Sequence, residues 1–377
     1  MSEQDVAFGH AAYSLSALDL RMIKAVPPGG NWKNIPASIP SKRLEQIRLS
    51  GGRTTLYGRM AWDQPSYTIT TYFHRPGNGT YIHPNVDRVI TSLEAARIQS
   101  FPDTYLFSGS KTARTKQIGN AVPPVMAYAL ASAIKTQNPK LKTVIDLFAG
   151  AGGMSLGFEW AGFCTILAND NFKEACDTYR TNHPKTKFIE GDITDKKVMS
   201  ELTKFINENK VDIVVGGPPC QGFSHAGKRL IDDPRNILYK EFVTIVKTAK
   251  PKIFVMENVE GILSMRSGAA FKEIKQDFEK LGYKVEGRKL ISADYGVPQK
   301  RKRVIIIGAI KGTPEDLFPK ILLEKNEYLT VKDAISDIPS SVKQDISEPV
   351  KLLKPKSKFQ EFMRSQISVK EFLKSIK

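Results

Sequence analysis

The chain has 377 residues, of which 56 are Lys or Arg and 39 are Asp or Glu, giving a formal net charge of +17. That length buries a sizeable core and suits two domains, and the basic balance favours a polyanionic partner. Three cysteines, Cys164, Cys176 and Cys220, are too few for a disulfide-built scaffold, no apolar run approaches the roughly 18 residues of a membrane span, and no signal-peptide pattern opens the sequence. A soluble intracellular protein is expected, with Cys164 and Cys176 in its core.

Residues 1–90 are punctuated by Gly and Pro (Pro27-Pro28-Gly29-Gly30, Gly51-Gly52, Pro76-Gly77-Asn78-Gly79) around short β-like runs such as Tyr67 to Phe73. That texture predicts a small, loop-rich domain. Two distinctive blocks follow, Arg88 to Asp103 and Gln117 to Pro124, then a helical pattern over Val125 to Lys135. From Thr143 to Lys311 strands and helices alternate. Strands are predicted over 143–148, 164–168, 188–189, 211–215, 253–256, 284–292 and 304–309. Helices over 154–161, 172–182, 196–209, 237–249 and 271–281 separate all but the last two strands. This indicates an α/β fold with a doubly wound, mostly parallel sheet. Residues 341–377 carry nine Lys or Arg against four Asp or Glu. One amphipathic helix is predicted there, over 369–376; a solvated or frayed basic end and a DNA contact are both open readings of it.

The chemistry gathers at strand ends. Gly216-Gly217-Pro218-Pro219-Cys220 closes a buried run, and Pro-Pro cannot continue a strand. The Cys220 thiol is therefore presented on a stiff turn, where open α/β sheets place their ligands. Glu257-Asn258-Val259 closes a second strand, and Gln299-Lys300-Arg301-Lys302-Arg303 opens a third. Asp146-Leu147-Phe148-Ala149-Gly150-Ala151-Gly152-Gly153 lies between a strand and a helix, where glycines let a ligand approach the backbone; the spacing is not that of a pyrophosphate loop. Asp170 ends the next strand, 20 residues after Gly150, a position suited to ribose hydroxyls, and Asp192 lies near the end of the third.

Together these motifs resemble the nucleophile, acid, arginine and cofactor motifs of the DNA cytosine-5 methyltransferases, over most of the chain. Arg88 to Asp103 resembles the ninth conserved block of that family, and Gln117 to Pro124 the tenth, which normally ends the protein. Here both precede the cofactor motif, so the resemblance is to a circular permutant of the bacterial restriction-modification type.

The resemblance implies a class I S-adenosylmethionine-dependent methyltransferase fold with a small target-recognition domain. It implies a thiolate of Cys220 adding to carbon 6 of a flipped-out cytosine, which makes carbon 5 nucleophilic toward the cofactor methyl. Glu257, with a raised pKa from partial desolvation, would supply a proton at ring nitrogen 3. Arg303 would hold the base oxygen, and Arg301 would neutralise a phosphate or buttress the site. S-adenosylmethionine, without any metal, would sit among Asp146, Phe148, Ala149, Gly150, Gly152, Asp170, Asp192, Ile193, Pro218, Leu238, Asn120 and Val122. Duplex DNA would meet Gln221, Ser224, Lys228, Arg229 and Arg235 on a closing loop. Sequence readout is placed around Arg53, Thr54, Tyr57 and Arg59, which offer groups suited to major-groove edges, and around Tyr67 to Tyr72.

The implied division is 1–87 and 325–377 for the split recognition region, 88–142 for the displaced motifs and 143–324 for the catalytic domain. A monomer in the bacterial cytoplasm, associated with the nucleoid, is expected. Its partners would be DNA, a cognate restriction endonuclease system, or a second polypeptide that completes specificity. Two other readings stay open: a methyltransferase acting on transfer RNA, and a DNA-binding module with a vestigial pocket.

Overall fold

The computed structural model describes residues 5–219, 237–264 and 268–377. Two compact units divide the chain: Val122–Tyr295 with Lys302–Ile321, and Met1–Ala121 with Gly296–Arg301 and Leu322–Lys377. The cut falls at 121/122, so the displaced motif blocks group with the loop-rich segment, and the helix that follows them groups with the sheet.

The first of these units is built on one sheet. Its elements are α1 (Pro124–Gln137), β1 (Thr143–Leu147), α2 (Gly153–Trp160), β2 (Cys164–Asp170), α3 (Lys173–Asn182), β3 (Lys187–Glu190) and α4 (Lys196–Glu208), then β4 (Ile213–Gly216), α5 (Ile237–Ala249), β5 (Ile253–Asn258), α6 (Ala269–Glu279), β6 (Lys284–Ile291) and β7 (Lys302–Ala309). The strand order is β3-β2-β1-β4-β5-β7-β6. Strands β1 to β5 pair in parallel, whereas β7 runs antiparallel to both of its neighbours. The doubly wound, mostly parallel α/β sheet expected from the sequence is present. The continuous apolar runs explain it: Ile253, Phe254, Val255 and Met256 are each at most 2% exposed, the signature of a strand covered on both faces.

Cys176 is buried, as expected, and burial pushes its thiol up to about 12. Cys164 is not a core residue. It opens β2 and is exposed there, while Thr165 beside it is buried.

The second unit carries short elements only. Val6–Ala7 pairs antiparallel with Val350–Lys351, and Gly58–Arg59 pairs with Thr80–Ile82. The segment Tyr67 to Phe73, read from sequence as β-like, is not a strand. Its backbone is held instead by scattered partners: Gln299 Oε1 accepts from the Ile69 amide at 2.8 Å, and Arg301 Nη1 donates to the Ile69 carbonyl at 2.9 Å. The basic tail is not a frayed end. It forms a helix, Val369–Ser375, whose fully buried Phe372 stacks on Phe362 at 5.0 Å between ring centroids.

A buried charge network ties together residues far apart in sequence. Arg97 donates to both oxygens of Asp103 at 2.7 Å and to Asp337 at 2.5 Å, while Arg364 pairs with Asp337 and with Asp5. All but Asp5 are nearly or fully buried, so each cation here needs its partners.

Packing in the sheet unit yields a stability test. A methyl added at Gly308 of β7 lies 1.9 Å from Cε1 of Phe254, the residue opposite it on β5. Phe254 is stacked on Phe278 at 3.9 Å and cannot retreat freely. Gly308→Ala is expected to cost about 1–3 kcal/mol or more, read as a lower urea midpoint with an unchanged slope.

Candidate active site

Strand order reverses between β1 and β4. Successive connections lead from β1 outward to β2 and β3, and the chain then returns to β4 on the other side. A crevice opens at the carboxyl ends of the two strands at such a point, and ligands of open α/β sheets bind there. Leu147 pairs with Gly216 across it, so the glycine-rich turn after β1 and the Gly-Pro-Pro turn after β4 leave the sheet side by side.

The first turn has an unusual backbone. Phe148, Gly150 and Gly152 all have positive φ (55°, 54° and 88°), which is uncommon for Phe148. A side chain added at Gly150 would meet open space, so this turn borders an empty face. Asp170 holds it from β2: Oδ2 accepts from the Gly150 amide at 2.8 Å, and Oδ1 accepts from the Phe172 amide at 2.8 Å. Asp192 is exposed beyond β3 and accepts from the Thr194 amide and hydroxyl at 2.9 and 2.8 Å. Those bonds hold its carboxyl below the usual range. Ile193 beside it is 2% exposed in the core, with half-buried Phe148 and Leu238 packed against the same cluster.

Asp146 is placed differently from the sequence reading. It is 1% exposed and lies under the turn, where its Oδ2 accepts from the Ser155 hydroxyl at 2.6 Å. Burial raises its carboxyl to about 7. Ala149 is nearly buried, and its amide donates to the Asn169 carbonyl at 3.0 Å.

At the second turn Pro218 is buried and Pro219 exposed. Asn258, at the end of β5, donates to the Pro218 carbonyl at 3.2 Å and fixes the turn. Glu257 precedes it, with Oε2 only 3.1 Å from where a side chain on Gly217 would begin. Arg303 on the adjoining β7 reaches Glu257 Oε1 through Nε at 2.7 Å, and both side chains are largely buried, at 16% and 13% exposed. Its Nη1 donates to the Lys302 carbonyl at 2.8 Å. The acid and the arginine predicted to act together are thus an ion pair beside the turn that leads to Cys220. Cys220 itself, with Gln221, Ser224, Lys228, Arg229 and Arg235, lies outside the described residues.

Several expectations need correction. Arg301 is fully buried, and its guanidinium donates to the carbonyls of Ile69 and Gly119 at 2.9 Å and of Asn120 at 3.3 Å. It buttresses backbone and cannot neutralise a phosphate. Arg59 is 4% exposed and is spent on the carbonyls of Val26, Ile23, His83 and Val86 and on the Asp87 carboxylate. Tyr57 is 3% exposed, with φ at +51° and its ring against Gly77. Neither can read a base edge. Arg53 and Thr54 remain exposed. Tyr67 and Tyr72 are each 53% exposed, and Arg75 sits over the Tyr72 ring at 5.7 Å. Asn120 ends its helix exposed, and Val122 is half-buried.

Sequence reading missed Ser155, Tyr179 and Asn258 as site residues. Asn258 was visible next to Glu257, but its bond to Pro218 depends on which strands are neighbours.

The sequence pattern described as the C-5 cytosine-specific DNA methylase family matches residues 20–136 and 142–372. The chain belongs to this family. As a C-5 cytosine-specific DNA methylase family member it is similar to the Type II methyltransferase M1.HphI of Haemophilus parahaemolyticus, 50% identical over 200 residues, which cover 52% of this chain and 53% of that one. It is similar also to M.AquIA of Picosynechococcus, 44% identical over 225 residues, 52% of this chain and 89% of that one. M.XorII of Xanthomonas oryzae is 45% identical over 201 residues, 52% of this chain and 46% of that one. The family member thus spans about half the length of the first and third of these relatives.

The raised Asp146 carboxyl has a measurable consequence. Its native value, about 7, exceeds its unfolded value near 3.8, so the protonated form is the one that the fold favours. Its contribution to stability is complete below about pH 4 and is lost as pH rises to about 7. Asp146→Asn keeps an acceptor for Ser155 and cannot ionise. Relative to the parent, the variant is expected to gain stability between pH 4 and pH 7, on the order of 4 kcal/mol at most, in thermal or urea unfolding of the ligand-free chain.

Proposed function

We propose that this chain transfers a methyl group from S-adenosylmethionine to carbon 5 of a flipped-out cytosine in duplex DNA, at one short sequence, as the modification enzyme of a bacterial restriction-modification system. The observation that carries the reading is the Glu257–Arg303 pair beside the Gly-Pro-Pro turn, at the edge where the glycine-rich turn opens. Membership of the family gives it a reaction.

The residues present fit the cofactor. Open space at Gly150, the half-buried Phe148 ring and the acids Asp170 and Asp192 at the ends of successive strands suit a nucleoside with a charged amino acid attached. Bound there, S-adenosylmethionine supplies an electrophilic methyl group.

The chain's own residues do the rest. Cys220 follows Pro219 directly, and its thiolate adds to carbon 6 of the cytosine. Arg303, whose Nε faces Glu257, meets the base oxygen through its guanidinium. Glu257 holds the proton on ring nitrogen 3, so the ring's added electron pair is delivered to carbon 5. After methylation a water molecule takes the carbon-5 proton, the electron pair of that bond forms the carbon 5–carbon 6 double bond, the carbon–sulfur bond breaks, and Cys220 returns as thiolate. The duplex must release the base first, because carbon 6 is unreachable inside the stack.

For DNA contact we place Arg53, Thr54, Tyr67, Tyr72 and Arg75 on the recognition surface, all exposed, together with Lys228, Arg229 and Arg235. A circular permutation is the reading of the motif order, in which Arg88 to Asp103 and Gln117 to Pro124 precede Asp146 to Gly153; the pairing of Val6–Ala7 with Val350–Lys351 joins early and late segments that this reading makes continuous. Among the described residues no helix is long and apolar enough to cross a membrane. A cytoplasmic monomer on chromosomal DNA is the setting we propose.

Methyl transfer from labelled S-adenosylmethionine to unmethylated duplex DNA and to transfer RNA, with product mapping, checks the proposal. Label at cytosine carbon 5 in one DNA motif is expected. Cys220→Ala should abolish it, and Glu257→Gln should lower turnover by about 100-fold or more. Label on transfer RNA alone would refute the DNA reading. Transfer only after addition of a second polypeptide would show that specificity is shared.

A further inference from the structure

The crevice uses the carboxyl edge of the sheet. The opposite edge, where β1, β4 and β5 begin and β7 ends, carries a row of lysines. One line of hydrogen bonds crosses it. The Cys164 amide donates to the Lys142 carbonyl at 2.8 Å, and the Lys142 amide to Asp212 Oδ2 at 2.8 Å. The Lys252 amide then donates to the Asp212 carbonyl at 2.9 Å, and the Ile310 amide to the Lys252 carbonyl at 3.1 Å. The Thr143 hydroxyl ties in the Lys210 carbonyl at 2.8 Å. Lys142, Lys210 and Lys252 are thereby fixed on neighbouring strands, which lie about 4.8 Å apart. Lys140, Lys250 and Lys311 adjoin them in the chain, and all six are exposed.

Little negative charge answers this row. Within two residues of these lysines the acids are Glu208 and Asp212. Asp212 is 3% exposed, and its Oδ2 also accepts from the Thr143 amide at 3.3 Å, so it serves the backbone. Lys210 Nζ lies 3.7 Å from Asp212 Oδ1. Among the described residues no ion pair engages the other five lysines. Lys250 also has a φ of 45°, a conformation that glycine adopts more easily, yet a lysine stands there.

We propose that this amino edge is a second duplex-binding face, which holds the backbone of a DNA segment other than the one whose base enters the crevice. Strands β1, β4 and β5 have four to six residues, so roughly 13–20 Å of sheet separates the two edges and one straight duplex cannot lie on both. From β1 to β7 the row covers about 15 Å, over which a duplex carries about nine negative charges. Lysines meet phosphates as point charges and read no bases, so the face suits any stretch of DNA. Membership of a DNA methylase family makes duplex DNA the polyanion at hand. A chain with two such faces passes between neighbouring segments without release. The inference goes beyond methyl transfer and does not depend on it.

The test is a sandwich assay with the full chain. The chain is bound to an immobilised random-sequence duplex, washed, and offered a labelled second duplex or labelled transfer RNA. The parent is expected to retain the second duplex. Lys142→Gln, Lys210→Gln, Lys250→Gln and Lys252→Gln combined should retain it at least about 10-fold less, while still binding the immobilised duplex. The same four positions changed to Arg should retain it like the parent, as should an equal-charge control carrying Lys173→Gln, Lys196→Gln, Lys197→Gln and Lys204→Gln. A parent that retains no second duplex, or retains only transfer RNA, overturns the proposal. So does a Gln variant that still retains the second duplex, one that drops the immobilised duplex as well, or a control that loses as much. Methyl transfer measured on the same samples is a separate readout: its absence beside a retained second duplex would count against the proposed function alone.

Discussion

The pairing of Leu147 with Gly216, where strand order reverses, is the constraint on which the rest of the site depends. Two parallel strands whose connections diverge leave their next residues uncovered. The chain fills that gap with two turns of opposite character. One is rich in glycine and held by Asp146 and Asp170; the other is stiffened by two prolines and held by Asn258. Nothing in either turn would be useful if the strands paired in a different order.

The antiparallel β7 adds the second element. Its register sets Ile305 opposite Glu257, so Arg303 emerges just past the end of β5. An arginine and a carboxylate brought together there, largely screened from water, interact more strongly than a surface pair would. The same short segment serves two ends. Gln299 and Arg301 clamp the backbone near Ile69, and Arg303, two residues later, faces the acid. Residues two apart in an extended segment share a face, so it is the start of β7 at Lys302, after Arg301 and before Arg303, that separates the two roles.

The α/β alternation, the sheet strands and the nearness of Glu257 and Arg303 to strand ends were legible in the sequence because apolar runs and turn-forming residues mark strand ends directly. What stayed hidden was the direction of individual side chains. Arg59 read as a free cation and Arg301 as either a phosphate partner or a buttress, yet each is buried on carbonyl groups that belong to distant segments. Tyr57 read as a recognition residue because no local rule announces its positive φ. Tyr67 to Phe73 has strand-like composition and no ladder, since its backbone bonds go to side chains. Cys164 illustrates the same limit: a thiol at the first position of a strand is on the rim, however apolar the strand beyond it. Ser155 and Tyr179 lie 24 residues apart, and only the packing of α2 and α3 on β1 and β2 brings them together.

The central claim is that the Cys220 thiolate attacks carbon 6 of a cytosine in DNA while Glu257 and Arg303 hold the ring. Duplex DNA carrying 5-fluorocytosine traps that adduct, because fluorine blocks loss of the carbon-5 substituent after methyl transfer. Incubation with S-adenosylmethionine, denaturation and peptide mapping by mass spectrometry give the most direct measurement. The account predicts a denaturation-resistant protein–DNA complex with the nucleotide attached at Cys220. Efficient methylation of ordinary duplex without any such complex, or attachment at Cys164 or Cys176, would show that the reaction runs by another route.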